Sequence, residues 1–251
     1  PGGLAARLAG VPLIIHEQNA VAGTANRSLA PLASRVCEAF PDTFSVSSKR
    51  RTTGNPVREE LFLETPRDSL RNRQPHLLVL GGSLGAEPLN KLLPEALGLL
   101  AAELRPQVFH QAGKQHAEVT SERYQAQGVS AEVAPFIKDM ARAYGWADLV
   151  VCRAGALTVS ELAAAGLPAL LLPLPHAIDD HQTRNAHYLA DEGAAFLLPQ
   201  ATTGAADLAA RLTEVLMHTD RLKTMAATAR RLAKPDATCN VVDICLEVAR
   251  G

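Results

Sequence analysis

From residue 76 onward the sequence alternates short apolar runs with amphipathic segments, and this alternation constrains the fold more than any other feature. The apolar runs predict strands over residues 76–80, 107–110, 131–133, 149–152, 169–172 and 195–198. Helices are predicted over residues 88–100, 140–146, 158–165 and 182–191, followed by a helical tail over residues 206–250 that breaks near Pro235. Because alternating strands and helices build a parallel sheet covered by helices on both faces, the sequence predicts an α/β fold.

The first part of the chain predicts the remainder of a second, similar unit. Helices are expected over residues 4–9 and 22–33, and buried strands over residues 11–15 and 35–39. The chain opens at Pro1 without a methionine and runs directly into these elements, as if in the middle of a fold. We therefore expect the first unit to be incomplete.

A loss of periodicity marks the predicted domain boundary. Between residues 41 and 55 the sequence turns polar and basic. We accordingly predict a first domain over residues 1–53, a linker over 54–59 and a second domain over 60–251, with a cleft between the domains. The last helix is expected to pack back on the first domain.

Composition excludes several classes of protein. Apolar residues make up 47% and charged residues 20% of the chain, as in soluble globular proteins. The net charge of −1 predicts no bulk attraction to nucleic acid or to an acidic membrane.

The chain has four cysteines and no C-x-x-C pair among Cys37, Cys152, Cys239 and Cys245. We therefore expect them to be small buried residues in a reducing compartment, with no zinc site and no disulfide. The most apolar stretch, residues 162–175, is too short to span a bilayer, so any membrane contact is expected to be peripheral.

A glycine-rich turn follows the first strand of the second domain. The segment Gly81-Gly82-Ser83-Leu84-Gly85 joins this strand to a predicted helix. Glycines allow tight turns and a close approach of the backbone, and free amides at a helix start attract phosphate. A tight turn without a ligand remains the alternative. A dinucleotide site is disfavoured, because the spacing is not G-x-G-x-x-G and the next strand ends in His110-Gln111 without an acidic residue for a ribose.

The segment from Arg153 to Glu161 is the most informative motif. It follows a predicted strand, so it lies at the carboxyl edge of the sheet, where open α/β sheets bind ligands. Its amides are suited to hold a pyrophosphate, and Glu161 is suited to accept hydrogen bonds from two ribose hydroxyls. However, Thr158-x-x-Glu161 is also a capping box, in which the glutamate only closes the helix end. From the spacing alone we favour the cap.

Two further polar clusters and one apolar pair are candidates for a site. In Asp179-Asp180-His181-Gln182-x-x-Asn185, the amide side chains are suited to bind sugar hydroxyls. An Asx-rich start of a helix is the plainer interpretation. A metal site is disfavoured because the spacing is not that of metal ligands, even when His176 is included. His16-Glu17-Gln18-Asn19, at the end of a predicted strand, is suited to acid–base chemistry, although a lone histidine is more often structural. Phe136-Ile137 is by itself typical of a core.

Together these motifs resemble the MurG family of bacterial glycosyltransferases across nearly the whole chain. The resemblance is carried by Pro1-Gly2-Gly3, His16-Glu17-Gln18-Asn19, Gly54-Asn55-Pro56-Val57-Arg58, Gly81-Gly82-Ser83-x-Gly85-Ala86, Cys152-Arg153-x-Gly155-Ala156-Leu157-Thr158-Val159-Ser160-Glu161 and His181-Gln182-x-x-Asn185. It implies a GT-B fold of two Rossmann-like domains, the first one incomplete here. It also implies an enzyme that moves N-acetylglucosamine from UDP-N-acetylglucosamine to lipid I, on the cytoplasmic face of the inner membrane, in peptidoglycan synthesis.

The resemblance also assigns site residues. It implies that the backbone of Ile137 contacts the uracil, that Glu161 binds the ribose in reversal of the capping interpretation, and that Asn19 reaches the donor across the cleft. The diphosphate is expected at Ser83 and the amides of Ala156, Leu157 and Thr158, with Val159 and Ser160 in the same segment and Arg58 near the nucleotide. Sugar hydroxyls are expected at Gln182 and Asn185, catalytic groups at His16 and Glu17, and less defined site roles at Asn26, Asn90 and Arg153.

The chemistry implied is an inverting attack by the C4 hydroxyl of N-acetylmuramic acid on the anomeric carbon of the donor. Amides and a helix amino end can stabilise the charge on the departing UDP, so we expect no metal and no cofactor. The family begins with a strand and a glycine-rich loop that have no counterpart in this chain. The membrane-docking patch of the family also has no counterpart here. We therefore expect a chain that binds the donor but turns over poorly. A non-catalytic sugar-nucleotide sensor and a nucleotide-cofactor oxidoreductase are the competing functions.

Overall fold

The computed structural model describes residues 2–62, 73–82, 85–175 and 180–250, and within them the strands form two wholly parallel sheets. The strands are β1 (Ile14–Glu17), β2 (Arg35–Glu38), β3 (Arg50–Thr52), β4 (His76–Leu80), β5 (Gln107–Gln111), β6 (Ala131–Ala134), β7 (Leu149–Cys152), β8 (Ala169–Leu171) and β9 (Ala195–Leu197). The helices are α1 (Gly2–Leu8), α2 (Thr24–Leu29), α3 (Glu87–Gly98), α4 (Ala117–Ala126), α5 (Met140–Trp146), α6 (Ala156–Ala165), α7 (His181–Ala190), α8 (Ala205–Leu216), α9 (Thr219–Arg231) and α10 (Ala237–Arg250). The predicted α/β class is confirmed.

The first sheet has the order β1-β2-β3 and a small core around Ile15, Ala33 and Val36. Its first strand begins at Ile14, not at residue 11, so the prediction was displaced by three residues. Val11 is exposed and Pro12 has no amide to donate to a ladder, which explains the later start. As a result, His16 and Glu17 belong to the strand and do not follow it.

Strand β3 lies in the polar stretch in which the sequence predicted no regular structure. It pairs with β2 over three residues, and two of its three side chains are exposed. An edge strand of this kind carries charged residues, so it lacks the apolar pattern by which buried strands are recognised. The first sheet therefore ends at Thr52.

The second sheet has the order β6-β5-β4-β7-β8-β9, and this order creates the position for a ligand. The chain moves outward from β4 through β5 to β6 and then returns to place β7 on the other side of β4. Ligands bind in open α/β sheets at such a switch point, beyond the carboxyl ends of the two central strands. Here the glycine-rich turn follows β4 and the segment that begins at Arg153 follows β7.

Helices cover both faces of the second sheet, as predicted. Leu78 and Val150 pack into one core, whereas Leu77 and Leu149 pack into the core on the opposite face. The predicted strands of this sheet are confirmed, but helix α4 was missed because its largely polar sequence buries only Thr120 and Tyr124. The helical tail breaks twice, around residues 217–218 and again around Pro235.

The two sheets meet through α7 and α10. The ring of Phe40, just after β2, makes an edge contact with that of Tyr188 on α7 at 4.9 Å. Helix α10 packs against β2, where Arg35 forms an ion pair with Glu247. The carboxyl-terminal helix thus lies against the first sheet, and the loops that follow β1 face the ligand edge of the second.

Two expectations from composition can be compared with the described residues. Cys37 and Cys152 are buried, but Cys239 and Cys245 are exposed on α10, so the expectation of four buried cysteines was wrong; all four are free. Cys239 and Cys245 lie on the solvent-facing side of this amphipathic helix, where a small residue is tolerated. None of the described helices is both long enough and apolar enough to cross a bilayer.

Candidate functional site

A cavity of about 180 Å³ lies at the carboxyl ends of β4, β5 and β7, at the switch point of the second sheet. Its walls are formed by Leu80, Gly82, Gln111, Phe136, Ile137, Met140, Tyr144, Cys152, Arg153, Thr158 and Glu161. Four of these, Ile137, Arg153, Thr158 and Glu161, are site residues expected from the sequence. The fold thus brings together residues that are far apart along the chain.

The glycine-rich turn forms one rim of this cavity. Gly82 and Gly85 adopt positive φ angles of 82° and 78°, and the amide of Gly85 donates to the carbonyl of Gly82. Ser83, the expected diphosphate ligand of this turn, lies outside the described residues. The turn packs closely against the loop after β5, since a Cβ added to Gly85 would lie 2.2 Å from the Ala112 carbonyl oxygen.

Asn90 supports this rim from behind. Its side chain is fully buried and donates to the Ala112 carbonyl at 2.9 Å. Asn90 is not among the residues that line the cavity, and it fixes the loop after β5 against the glycine turn. Its expected role in the site stays a prediction.

Helix α6 begins at Ala156, which excludes the capping interpretation of the Thr158–Glu161 spacing. The N-cap residue is Gly155, so Thr158 is already the third helical residue and the capping box is wrong. Instead, the carboxylate of Glu161 accepts a hydrogen bond from the Tyr144 hydroxyl at 3.0 Å. The first amides of α6, at Ala156, Leu157 and Thr158, have no carbonyl within the helix to which they can donate, and they carry the positive end of its dipole.

Glu161 is an anionic group in a poorly solvated wall. Burial raises its pKa, while the hydrogen bond from Tyr144 and the positive charge of Arg58 act in the opposite direction. Arg58 is exposed and pairs with Glu60 at 3.3 Å, yet it is near enough to act on Glu161. Arg58, expected near the nucleotide, is therefore beside the cavity.

The other expected residues of the β7 segment point elsewhere. Val159 is fully buried in the core, and Ser160 donates to the Ala156 carbonyl and accepts from Asn55, so neither side chain lines the cavity. Their expected place in the binding segment stays a prediction. Arg153 donates to the carbonyls of Leu172 and Pro173 and to Gln200. Its guanidinium thus ties the loops after β7, β8 and β9 together while lining the cavity floor.

Gln111 is a cavity residue to which the sequence assigned no role. Its side-chain oxygen accepts the amide hydrogen of Ile137 at 2.8 Å, and the residue is 5% exposed. The main-chain amide of Ile137 is thus already paired, which leaves its carbonyl for a ligand. The only signal in the sequence was the position of Gln111 at the end of a predicted strand, where a dinucleotide-binding fold has an acidic residue.

In the first domain, Glu17 organises the loop after β1. It is 4% exposed and accepts four hydrogen bonds, from the amides of Asn19 and Gly23 and from the side chains of Asn19 and Asn26. Burial raises the pKa of Glu17, but these four bonds outweigh it and lower the pKa below the ordinary value. Glu17 therefore holds the loop through these bonds, Asn26 belongs to the same network, and the expected roles of both residues in the site stay predictions.

His16 lies at the junction of the domains. Its Nε2 is 3.0 Å from the carbonyl oxygen of Gly54 in the linker. A carbonyl oxygen accepts only, so in the neutral form of the ring Nε2 carries the hydrogen and Nδ1 has the lone pair. Of the two expected catalytic residues, His16 is the one with a proton acceptor left.

The low pKa of Glu17 makes a prediction about stability. A carboxylate whose folded pKa is depressed stabilises the fold above its unfolded pKa, and this contribution is lost as the pH falls through the folded value. Glu17→Gln should therefore lower the free energy of unfolding by about 1–3 kcal/mol near neutral pH, and the difference from the wild type should vanish in acid. Urea unfolding between about pH 7 and pH 3 measures this.

Glu103→Gln is the matched control, since Glu103 is exposed on the surface. It should leave stability unchanged at each pH. A constant difference between Glu17→Gln and the wild type over the whole range would show that the charge of Glu17 is not what stabilises the loop.

The two expected site residues of α7 are placed differently from each other. Gln182 accepts the amide hydrogen of Leu174 at 2.8 Å and is partly exposed. Asn185 is fully buried and hydrogen bonded to Asn19, Ala20 and Ala154. The side chain of Asn185 is enclosed between the two domains, and its expected contact with a sugar hydroxyl stays a prediction. Asn19, which is partly exposed, stays at the cleft.

Comparison with known proteins agrees with this geometry. The glycosyltransferase family 28 C-terminal domain matches residues 76–241, which contain the second sheet and the cavity. A curated relative from Stutzerimonas stutzeri is 81% identical over 251 residues, covering all of this chain and 70% of its own length. It is named "UDP-N-acetylglucosamine--N-acetylmuramyl-(pentapeptide) pyrophosphoryl-undecaprenol N-acetylglucosamine transferase", and a relative from Pseudomonas fluorescens with the same name is 78% identical over the same span. The crystal structure of Acinetobacter baumannii MurG superposes with a TM-score of 0.88 at 47% identity, over 98% of this chain and 70% of that one.

The chain belongs to the MurG family of glycosyltransferases. The expected GT-B fold and the assignment as a glycosyltransferase are thereby confirmed. A UDP-GlcNAc 2-epimerase from Neisseria meningitidis shares the fold alone, with a TM-score of 0.68 at 14% identity. Among the described residues of this MurG family member, no cluster of three His, Cys, Asp or Glu side chains is arranged for a metal ion; that the protein uses neither metal nor cofactor stays a prediction.

Proposed function

We propose that the chain binds UDP-N-acetylglucosamine in the switch-point cavity and supports transfer of N-acetylglucosamine to the C4 hydroxyl of N-acetylmuramic acid in lipid I, giving lipid II. The observation that carries this proposal is the convergence of the α6 amino end and the Glu161 carboxylate on one cavity. A nucleoside diphosphate presents an anion and a pair of ribose hydroxyls, which match these two features. The names of the relatives support the substrates.

The nucleotide is held by groups of opposite character. The diphosphate lies at the amides of Ala156, Leu157 and Thr158, where a helix amino end favours negative charge. The ribose hydroxyls donate to Glu161. The uracil lies beside Ile137 and donates its ring N–H to the Ile137 carbonyl, because the amide of this residue already pairs with Gln111.

The transfer itself is a displacement at the anomeric carbon. The C4 hydroxyl oxygen forms a bond to the anomeric carbon as the bond between this carbon and UDP breaks. UDP leaves with the electron pair, and the configuration at the anomeric carbon is inverted. The amides of α6 stabilise the charge that gathers on the departing diphosphate without reorganising. The proton of the hydroxyl needs an acceptor, and Nδ1 of His16 is a better candidate than the saturated Glu17.

The cellular setting follows from the proposed acceptor. Lipid I carries an undecaprenyl chain, so the reaction takes place at the cytoplasmic face of the inner membrane, with peripheral contact and no nucleic acid. The product serves peptidoglycan synthesis, and through it cell shape and division. The low turnover expected of the 251-residue chain stays a prediction, which an assay with a lipid I analogue measures directly.

Calorimetry with UDP-N-acetylglucosamine and with NADH tests the proposal. We expect saturable binding of the sugar nucleotide and of UDP, and none of NADH, because the strand next to β4 ends in Gln111 and not in an acidic residue. Binding of NADH in place of the sugar nucleotide would favour an oxidoreductase. A sensor without catalysis would bind the donor and never convert lipid I, even in the full-length context of its relatives.

A further inference from the structure

Asn55 lies in the linker and contacts both domains with one amino group. The residue is 2% exposed. Its Nδ2 donates to the carbonyl of Gln18, in the loop after β1, at 3.0 Å and to Oγ of Ser160, on α6, at 3.1 Å. A carboxamide has two N–H hydrogens, so both donors of this side chain are used to join the loop after β1 to α6.

The hydrogen bond to Ser160 continues into the first turn of α6. The Ser160 hydroxyl donates to the Ala156 carbonyl at 3.0 Å. The direction of this chain is fixed, because a hydroxyl has one hydrogen and a carbonyl oxygen only accepts. Each bond in such a chain polarises the next one. Asn55 therefore acts, through Ser160, on the main chain at the start of α6.

The Ala156 carbonyl belongs to the same planar peptide unit as the amide of Leu157. A hydrogen bond to the oxygen of this unit therefore fixes the direction of its N–H and increases the positive charge on the hydrogen. Leu157 follows the first residue of α6, so its amide has no acceptor within the helix. In the proposed complex this amide faces the diphosphate. The chain of hydrogen bonds from Asn55 thus ends at the anion site.

The carboxamide oxygen of Asn55 indicates what the side chain contributes. Oδ1 is buried and has no hydrogen-bond partner within the described residues. A buried acceptor without a partner lowers the stability of a protein, so packing alone would favour an apolar side chain at this position. What a carboxamide adds there is its two donor bonds.

We infer that Asn55 is a positioning residue, which orients the Leu157 amide of the anion site through Ser160 and holds this site to the first domain through Gln18. The effect on ligand binding rests on the proposed function, whereas the chain of hydrogen bonds exists without a ligand. Asn55 is not among the residues that line the cavity. Its effect should therefore be confined to ligands that carry the diphosphate, which UDP has and uridine lacks.

The test compares Asn55→Ala with Thr53→Val in the same linker. Thr53 is also buried, and Thr53→Val removes its hydrogen bond to the Gly54 carbonyl without changing a partner of Asn55, so it is the matched control. In Asn55→Ala, affinity for UDP should fall about tenfold, whereas affinity for uridine should stay within about twofold. Thr53→Val should change neither affinity. Titrations followed by NMR measure both ligands.

Ser160→Ala removes the middle group of the chain and is the variant to use if Asn55→Ala does not fold. It should weaken UDP binding by a similar factor and leave uridine binding unchanged. Where both variants fold, the double variant should bind UDP no more weakly than either single one, because both substitutions interrupt the same chain. Additive losses of UDP affinity would show that Asn55 does not act through Ser160, and would overturn the inference.

The same chain is measurable in the ligand-free protein. The NMR signal of the Leu157 amide should shift in the same direction in Asn55→Ala and Ser160→Ala, because its peptide unit is less polarised in both, and should not shift in Thr53→Val. An unmoved Leu157 signal in Asn55→Ala, or equal losses of affinity for UDP and uridine, would contradict the positioning role. If the wild type binds neither UDP nor UDP-N-acetylglucosamine, the proposed function fails, and the Leu157 signal still decides whether Asn55 orients this amide.

Discussion

Replacing Glu161 by alanine should weaken UDP binding by about 1–3 kcal/mol, which corresponds to roughly a 5- to 150-fold higher Kd. The reason is that Glu161 is the carboxylate of the cavity wall, and in the proposed complex its removal takes an acceptor from the two ribose hydroxyls. The amides at the start of α6 would still bind the diphosphate, so binding should be reduced and not abolished. Calorimetric titration of UDP near neutral pH measures the effect.

The stability of a second variant, Glu161→Gln, distinguishes a role of Glu161 in ligand binding from a structural role. Burial raises the pKa of Glu161 above its ordinary value, so the ionised form makes no favourable contribution to folding at neutral pH. A group whose pKa is raised in the folded state stabilises the fold at pH values below its unfolded pKa, and this contribution is lost as the pH rises through the folded pKa. Glu161→Gln should therefore fold at least as stably as the wild type near pH 7 while binding UDP more weakly. Unchanged UDP affinity together with lower stability would contradict the ribose role.

Tyr144→Phe is the matched variant for this prediction. The Tyr144 hydroxyl donates to Glu161 and lowers its pKa, so its loss should raise that pKa further. UDP binding by Tyr144→Phe should then decline at a higher pH than in the wild type as the solution is acidified, with affinity retained at alkaline pH. A pH profile identical to that of the wild type would show that Tyr144 does not act through Glu161.

The fold of the second domain was predictable because its strands are buried on both faces. Buried parallel strands are continuous apolar runs, and the runs at β4, β5 and β7 stand out in the sequence for that reason. The edge strand β3 and the polar helix α4 escaped because few of their side chains are buried. Periodicity reports burial, and elements that bury little leave little signal.

The site could be located but its inner organisation could not. Motifs after β4 and β7 fall at the ligand edge of any parallel sheet, so the positions of Gly81 and Arg153 already indicated it. Which polar atoms remain free is decided by partners distant in sequence, such as Gln111 for Ile137 and Asn19 for Asn185. No local pattern contains that information. This is why the hydrogen bonds that Glu17, Asn90 and Asn185 make with other parts of the protein were not predictable from the sequence.

Replacing Gly85 by alanine should lower the free energy of unfolding by about 2–5 kcal/mol, the largest stability effect we expect of a single methyl group in this chain. Gly85 has a φ of 78°, which costs an L-residue energy, and its added Cβ would lie 2.2 Å from the Ala112 carbonyl oxygen. That oxygen cannot retreat freely, because Asn90 donates to it and the Ala112 amide is bonded to the Ala134 carbonyl. Urea unfolding gives the loss directly.

Gly82→Ala separates the steric contact from the backbone strain. Gly82 has nearly the same φ, 82°, but no atom of the described residues lies within 4 Å of a Cβ placed there, so Gly82→Ala should lose only about 1–2 kcal/mol. Both variants disturb the rim of the cavity, yet only Gly85→Ala pushes the loop at Ala112 away from the turn and thereby displaces the neighbouring Gln111. We therefore expect UDP affinity to fall much further in Gly85→Ala than in Gly82→Ala. Equal losses of stability in the two variants would mean that the close approach of the turn to Ala112 is not what requires glycine at position 85.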